Sequence, residues 1–152
     1  MQMKILVPSL MATALFLSAC SNAPLADNAL SSAEQSDGWK SLFDGSSLDG
    51  WRGYNGVDME GIWTADAGTM HLVGREKGSP HVNIITKAVY DDFDLRFDWK
   101  VEEGTNSGVM FHVGEGPKQP YLTGPEYQVL DNFGFRSGKG LPVGPTDHSG
   151  SH

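Results

Sequence analysis

Phe93-Asp94-Leu95-Arg96-Phe97-Asp98-Trp99-Lys100-Val101-Glu102 is the stretch on which the fold class turns. Every odd-numbered residue in it is large and apolar, and every even-numbered one is charged. This period of two over ten positions is the mark of a β-strand with one face in a core and the other in water. A helix would scatter the same apolar residues around its circumference. A polar turn follows, Glu103-Gly104-Thr105-Asn106-Ser107-Gly108, and then a second strand over 109–113. After a Gly/Pro-rich excursion a third strand is expected at Glu126-Tyr127-Gln128-Val129-Leu130-Asp131.

Upstream, residues 62–74 read as a hairpin that turns at Asp66-Ala67-Gly68, with Met70 and Leu72 on one face. A short strand is expected over 83–87. Trp39, Leu42 and Phe43 are core candidates ahead of a turn at Asp44-Gly45, and Leu48-Asp49-Gly50-Trp51 repeats the pattern of apolar anchor, turn and aromatic. No stretch shows a helical period of useful length, and no internal repeat is visible. The expected fold is all-β with antiparallel connections, a sandwich or jelly roll.

The chain has 152 residues and a formal net charge of −8, with 20% charged and 39% hydrophobic residues. That suits one globular domain with short appendages. The excess charge is acidic and no basic patch is present to meet phosphates, so nucleic acid is not an expected partner. The single cysteine, Cys20, can make neither an internal disulfide nor a Cys-based metal site. Residues 1–20 instead read as a secretory leader: Lys4, a short apolar run, and Leu17-Ser18-Ala19-Cys20. That ending resembles the bacterial lipobox, which implies lipidation of Cys20 and an extracytoplasmic, membrane-anchored protein at the cell envelope. Residues 21–37, poor in large apolar groups, are expected to be a flexible tether, and the folded domain to occupy 38–152.

Trp39-Lys40-Ser41-Leu42-Phe43-Asp44-Gly45 followed by Leu48-Asp49-Gly50-Trp51 resembles the opening of the 3-keto-disaccharide hydrolase domain family. The likeness continues through the strand at 93–99, Asn106-Ser107-Gly108-Val109, and Glu126-Tyr127-Gln128-Val129-Leu130-Asp131-Asn132. The resemblance implies a concanavalin A-like jelly roll and cleavage of glycosides oxidised at C3 of the sugar. It also implies further strands after a Gly-x-Leu-Tyr-like stretch, so the chain is expected to be the N-terminal part of such a domain, incomplete at its C-terminus. The resemblance admits a divalent metal ion, for which the sequence shows no ligand set; the cofactor is left open.

A 3-keto group acidifies the hydrogen at C2, so the implied chemistry needs a base, a donor for the developing enolate oxygen and an acid for the leaving oxygen. Glu126 and Gln128, two apart on a strand, point to one face roughly 6–7 Å apart. Glu126 is the candidate base and Gln128 the amide that holds a hydroxyl or the keto oxygen, although the same pair is equally at home on a solvated strand face beside core Tyr127 and Val129. Asp131 falls on the opposite parity and is a further substrate-binding candidate, which makes Glu126 and Asp131 a poor pair of opposed carboxylates for ordinary glycosidase chemistry. His112 shares a face with Met110 and is the second catalytic candidate, or else a hydrogen-bonded sheet histidine. Asn106 sits in a turn from which it could reach a sugar. His71, His81, His148 and His152 show no metal-ligand spacing. Trp51, Tyr54, Trp63 and Tyr121 are either sugar-stacking platforms or core. Three functions follow: hydrolysis of 3-keto glycosides at the envelope, a noncatalytic carbohydrate-binding module on the same fold, and a surface interaction domain without sugar chemistry.

Overall fold

Four residues of the 93–102 alternation form a hydrogen-bonded strand. The computed structural model describes residues 3–6, 26–73, 81–136 and 149, and in it this strand is Asp94–Phe97. The strands in chain order are β1 (Met3–Leu6), β2 (Trp39–Ser41), β3 (Trp51–Gly53), β4 (Trp63–Asp66), β5 (Thr69–Leu72), β6 (Ile84–Thr86), β7 (Asp94–Phe97), β8 (Asn106–Met110) and β9 (Glu126–Leu130). Among the described residues one short α-helix, α1 (Ser32–Ser36), precedes β2. The all-β antiparallel class expected from the alternation is what the chain adopts, and it falls into two compact units.

The first unit comprises Met1–Arg52 and Asp58–Asp98. Its largest sheet has the order β2-β1-β7, with β1 antiparallel to both neighbours. Met3 opposes Phe97 and Ile5 opposes Leu95, so these four share a face. Met3 and Ile5 are each only 3% exposed. Asp94 and Arg96 occupy the other face and stay exposed, with the Arg96 guanidinium 4.1 Å above the Trp39 ring. The alternation therefore survives as alternating burial. The ladder is shorter than the alternation because β1 pairs only with Asp94–Phe97; the unit boundary falls just after Asp98.

β4 and β5 form the expected hairpin, with Asp66 opposite Thr69. Ala67 (φ 44°) and Gly68 (φ 75°) both take left-handed conformations, the pattern of a type I′ turn, whose twist matches that of the strands. Met70 and Leu72 share a face as expected, yet Met70 is buried and Leu72 exposed. β3 pairs with β6. The core joins Met3, Phe43, Trp51 and Met70, flanked by Leu42, Leu48, Ala65, Ile84, Leu95 and Phe97. The Trp51 indole N–H donates to the Leu42 carbonyl at 2.8 Å, which lets a polar atom enter that core.

Two stretches differ from expectation. Met3–Leu6, inside the expected leader, is the central strand of the β2-β1-β7 sheet; Cys20 lies outside the described residues. Residues 26–37, expected as a tether, are ordered against this unit. Asn28 is buried and donates from Nδ2 to the Gly68 carbonyl at 2.8 Å. α1 opens with a capping box in which the Ser31 hydroxyl accepts from the Glu34 amide and the Glu34 carboxylate accepts from the Ser31 amide. That Ser-x-x-Glu signal is present in the sequence, and composition masked it.

The second unit comprises Gly53–Val57 and Trp99–His152. Its sheet is the β8-β9 hairpin.

Glu34 supplies a pH test of the first unit. Its carboxylate is held by the Lys4 ammonium at 2.8 Å, then by the Ser31 amide and hydroxyl, and titrates at about 2 instead of 4.5. A carboxyl with a depressed folded-state pKa adds stability above its unfolded value, and that stability is lost as pH falls through the folded one. Thermal melts of the wild type and of Glu34→Gln should differ near neutral pH and converge as pH falls from about 4.5 to about 2.

Candidate active site

The β8-β9 register brings most of the candidate residues to one face. Asn106 opposes Leu130, Gly108 opposes Gln128, and Met110 opposes Glu126. Opposed residues in an antiparallel pair point to the same side. Asn106, Gly108, Met110, Glu126 and Gln128 therefore share a face, and Ser107, Val109, Tyr127 and Val129 take the other. Val129 and Leu130 are buried, which anchors the C-terminal end of β9. The strand expected over 109–113 begins earlier, at Asn106, and ends earlier, at Met110. Asn106 thus belongs to the ladder and not to a turn.

Gly108 leaves room for the Glu126 carboxyl. A Cβ at position 108 would land on Oε1 of Glu126, so the carboxyl lies across the glycine on the neighbouring strand. The other oxygen, Oε2, accepts a hydrogen bond from Gln128 Nε2 at 3.1 Å. Burial pushes the Glu126 carboxyl above its ordinary value of 4.5, and the Gln128 bond opposes this only in part. The result is a half-buried carboxyl, more basic than a surface glutamate, beside an amide on the same strand.

His112 and Asp131 fall outside this group. His112 follows β8 in a left-handed conformation (φ 52°), and the Phe111 amide before it donates to the Pro125 carbonyl. Strand parity stops there, which corrects the face expected for His112 with Met110. His112 is exposed, and its ring meets that of Phe111 edge-on at 5.8 Å. Asp131 clasps two turns. Its carboxylate accepts from the Gly104 amide at 2.8 Å and the Phe133 amide at 3.1 Å, and the Gly134 amide adds to them. These bonds, Gly104 first, hold it below the ordinary carboxylate range.

The connection 111–125 leaves the hairpin at the Met110–Glu126 pair and is tied down internally. The Thr123 hydroxyl donates to the Gly114 carbonyl at 3.0 Å and accepts from the Gly114 amide at 3.1 Å. Buried Tyr54 directs its hydroxyl at the carbonyls of Gly114 and Pro117, each 3.0 Å away. Asn55 donates from Nδ2 to Pro117 and accepts from Gly116 at Oδ1. Sequence reading missed these clasps and the part played by Gly108, because each depends on a residue distant in sequence. Of the aromatic candidates, Trp51 and Tyr54 are buried, Trp63 is half-buried with its indole N–H on the Val82 carbonyl, and Tyr121 is 60% exposed on this connection. Among the described residues no three His, Cys, Asp or Glu side chains gather as metal ligands.

Comparison with solved structures identifies the class. The chain superposes on a protein of Parabacteroides distasonis that carries a provisional glycosyl hydrolase designation, with a TM-score of 0.64, 28% identity, and coverage of 83% of this chain and 58% of that one. It is thus an all-β chain of jelly-roll type. More particularly, the model of the 3-keto-α-glucoside-1,2-lyase-like domain family matches residues 38–151, and the chain belongs to that family. A 3-keto-disaccharide hydrolase of Bacteroides thetaiotaomicron is 33% identical over 110 residues. The match takes in 63% of this chain and 38% of that relative, and the chain spans less than two thirds of either protein's length.

The Gly108–Glu126 packing is open to direct test. Gly108→Ala should drive the Glu126 carboxyl off the strand and into water. Its titration, followed by carboxyl-carbon NMR, should then fall back toward the ordinary glutamate value; an unchanged titration would show that burial at this spot does not set it.

Proposed function

We propose that this chain carries the proton-abstracting part of an enzyme that cleaves 3-keto glycosides by elimination and hydration, with Glu126 as the base. The observation that carries the reading is the half-buried, basic carboxyl of Glu126 packed over Gly108 and bonded to the Gln128 amide, within a domain of this family. In the proposed step Glu126 takes the C2 proton of the 3-keto sugar, the electron pair forms the C1–C2 double bond, and the C1–oxygen bond breaks. The leaving oxygen gains a proton. Water then adds across the double bond, its oxygen at C1 and a proton returning to C2, which completes a net hydrolysis. A base with a raised pKa suits abstraction of a carbon-bound proton near neutral pH. Gln128 retains an N–H and a carbonyl oxygen for the keto group or a hydroxyl, and Asn106 offers a second amide on the same face. His112, two residues beyond the partner of Glu126, is assigned to the leaving oxygen. Asp131 spends its carboxylate on backbone amides and takes no sugar contact in this scheme.

The protein is further proposed to act at the cell envelope, anchored by acyl chains on Cys20; the support is the Leu17-Ser18-Ala19-Cys20 pattern after a short apolar run. Cys20→Ser should move the protein from the membrane fraction to the soluble fraction.

Tyr121 supports a second reading, a carbohydrate-binding module without turnover, since it is a largely exposed ring on an ordered connection. Substitutions in the full-length protein separate the two, with release of 3-keto-glucose from a 3-keto glucoside as the readout. Glu126→Gln should lower kcat by about 10²–10⁴ while sugar binding persists. Its thermal midpoint near neutral pH should not fall, because a raised carboxyl is stabilised in its protonated form and folding then disfavours its charge. If Tyr121→Ala abolishes binding and no variant or wild-type protein turns over, the binding-module reading replaces the enzymatic one.

A further inference from the structure

Beyond the Met110–Glu126 pair the two chain segments stay tied together, with one residue too many on one side. The Phe111 amide donates to the Pro125 carbonyl at 3.2 Å. The next tie joins Gly114 to Thr123, whose hydroxyl accepts from the Gly114 amide at 3.1 Å and donates to the Gly114 carbonyl at 3.0 Å. Between these ties His112 and Val113 lie on one side and Gly124 alone on the other. Two residues against one is the count of a β-bulge, and the kind whose first residue is left-handed usually places glycine there. Here that residue is His112, at φ 52°. Among the described residues the other left-handed non-glycines are Asn28, Asn55 and Ala67. Asparagine tolerates the conformation through local hydrogen bonding, and Ala67 sits in a two-residue hairpin turn that demands it. His112 closes no such turn, and strained residues of this kind cluster where the side chain is put to use.

Gly124 makes the bulge possible. It is buried, and a Cβ on it would collide with the Phe111 carbonyl oxygen and lie 2.9 Å from Val113 Cγ2 and 3.3 Å from the His112 carbonyl carbon. Three consecutive residues thus press on the one position that has no side chain. The His112 ring meets the Phe111 ring edge-on at 5.8 Å, so a shift of Phe111 is passed to the imidazole. The bulge is also close along the chain to the candidate base: His112 comes two residues after Met110, and Gly124 two before Glu126, the residue paired with Met110.

The geometry points to Gly124 as a positioning residue for protonation of the leaving group: its missing side chain holds the bulge that sets the His112 imidazole, a role that rests on the enzymatic reading above. His112 gives its proton to the glycosidic oxygen as the C1–oxygen electron pair departs onto that oxygen. It takes a proton back from the water whose oxygen adds at C1, while Glu126 returns its own proton to C2. Gly124 touches no substrate and acts only through His112.

The test compares two 3-keto glucosides on the full-length protein. One has a simple alkoxide leaving group, which needs a proton to depart, and the other has nitrophenolate, which does not. His112→Gly suits the left-handed backbone, so its thermal midpoint should rise by a few degrees. Its kcat on the alkyl glucoside should fall about 10²–10⁴-fold with little change in KM, and the fall on the nitrophenyl glucoside should be smaller by about tenfold or more. Gly124→Ala should lose about 10–10²-fold on the alkyl glucoside, with the same dependence on the leaving group. Added to His112→Gly it should cost no further kcat, as expected of a residue that acts through the histidine. Equal losses on both glucosides, or a further loss on top of His112→Gly, overturn the positioning role. An unchanged kcat of His112→Gly on the alkyl glucoside overturns it as well and leaves Glu126 standing as the base. A wild type that turns over neither glucoside overturns the enzymatic reading, and this role with it. Should Gly124→Ala not fold, Thr123→Val, which cuts the far tie of the bulge and keeps the glycine, takes its place. The same dependence on the leaving group is then expected, and equal losses or none overturn the role.

Discussion

A sheet of this size is held together from its middle. β1 contributes four residues, yet both β2 and β7 take their ladder from it, and two of its side chains are among the least exposed of the described residues. A strand with two partners satisfies backbone groups on both edges, and unpaired groups at its site would be costly next to apolar side chains. The length of β7 follows: it spans the residues β1 can reach, although the sequence alternates for ten. Met3, on the shared face, joins Phe43, Trp51 and Met70 in one core cluster.

In the second unit a glycine has the comparable role. β-strands usually gain from side chains at every position, and a glycine weakens them. At Gly108 the missing side chain is the condition for burying a carboxyl on the opposite strand. Burial raises that carboxyl, and a single hydrogen bond from Gln128 is too little to bring it back. The contrast with Asp44 and Asp131 is instructive. Asp44 accepts from the Ser46 and Ser47 amides and titrates at about 2, and Asp131 is likewise lowered by amides. These two carboxylates stabilise turns because their charge is solvated by backbone N–H groups. Glu126 has no backbone N–H bonds of this kind lowering it, and burial keeps it raised.

The strands and turns were legible because their signals are local. Alternation at 93–97, the Ala67-Gly68 turn, and the run from Glu126 to Leu130 each follow from a few adjacent residues. The placement of Glu126 and Gln128 on one face was equally legible, since parity is fixed within a strand. Three features were not. Strand ends at Phe97 and Met110 depend on how far a partner extends. His112 leaves its expected face because its backbone turns left-handed after the last ladder pair. The ordering of residues 26–37 rests on Asn28 reaching Gly68, forty positions away, which no composition reading can detect.

The sequence by itself determined the all-β class, the family, and the carboxylate–amide pair, because a period of two and short motifs act within a strand's own length. Only the tertiary structure decided which residues became central. Met3–Leu6 became the middle of a sheet and Gly108 the seat of a carboxyl, because burial and cross-strand packing are properties of partners that the chain brings together from far apart.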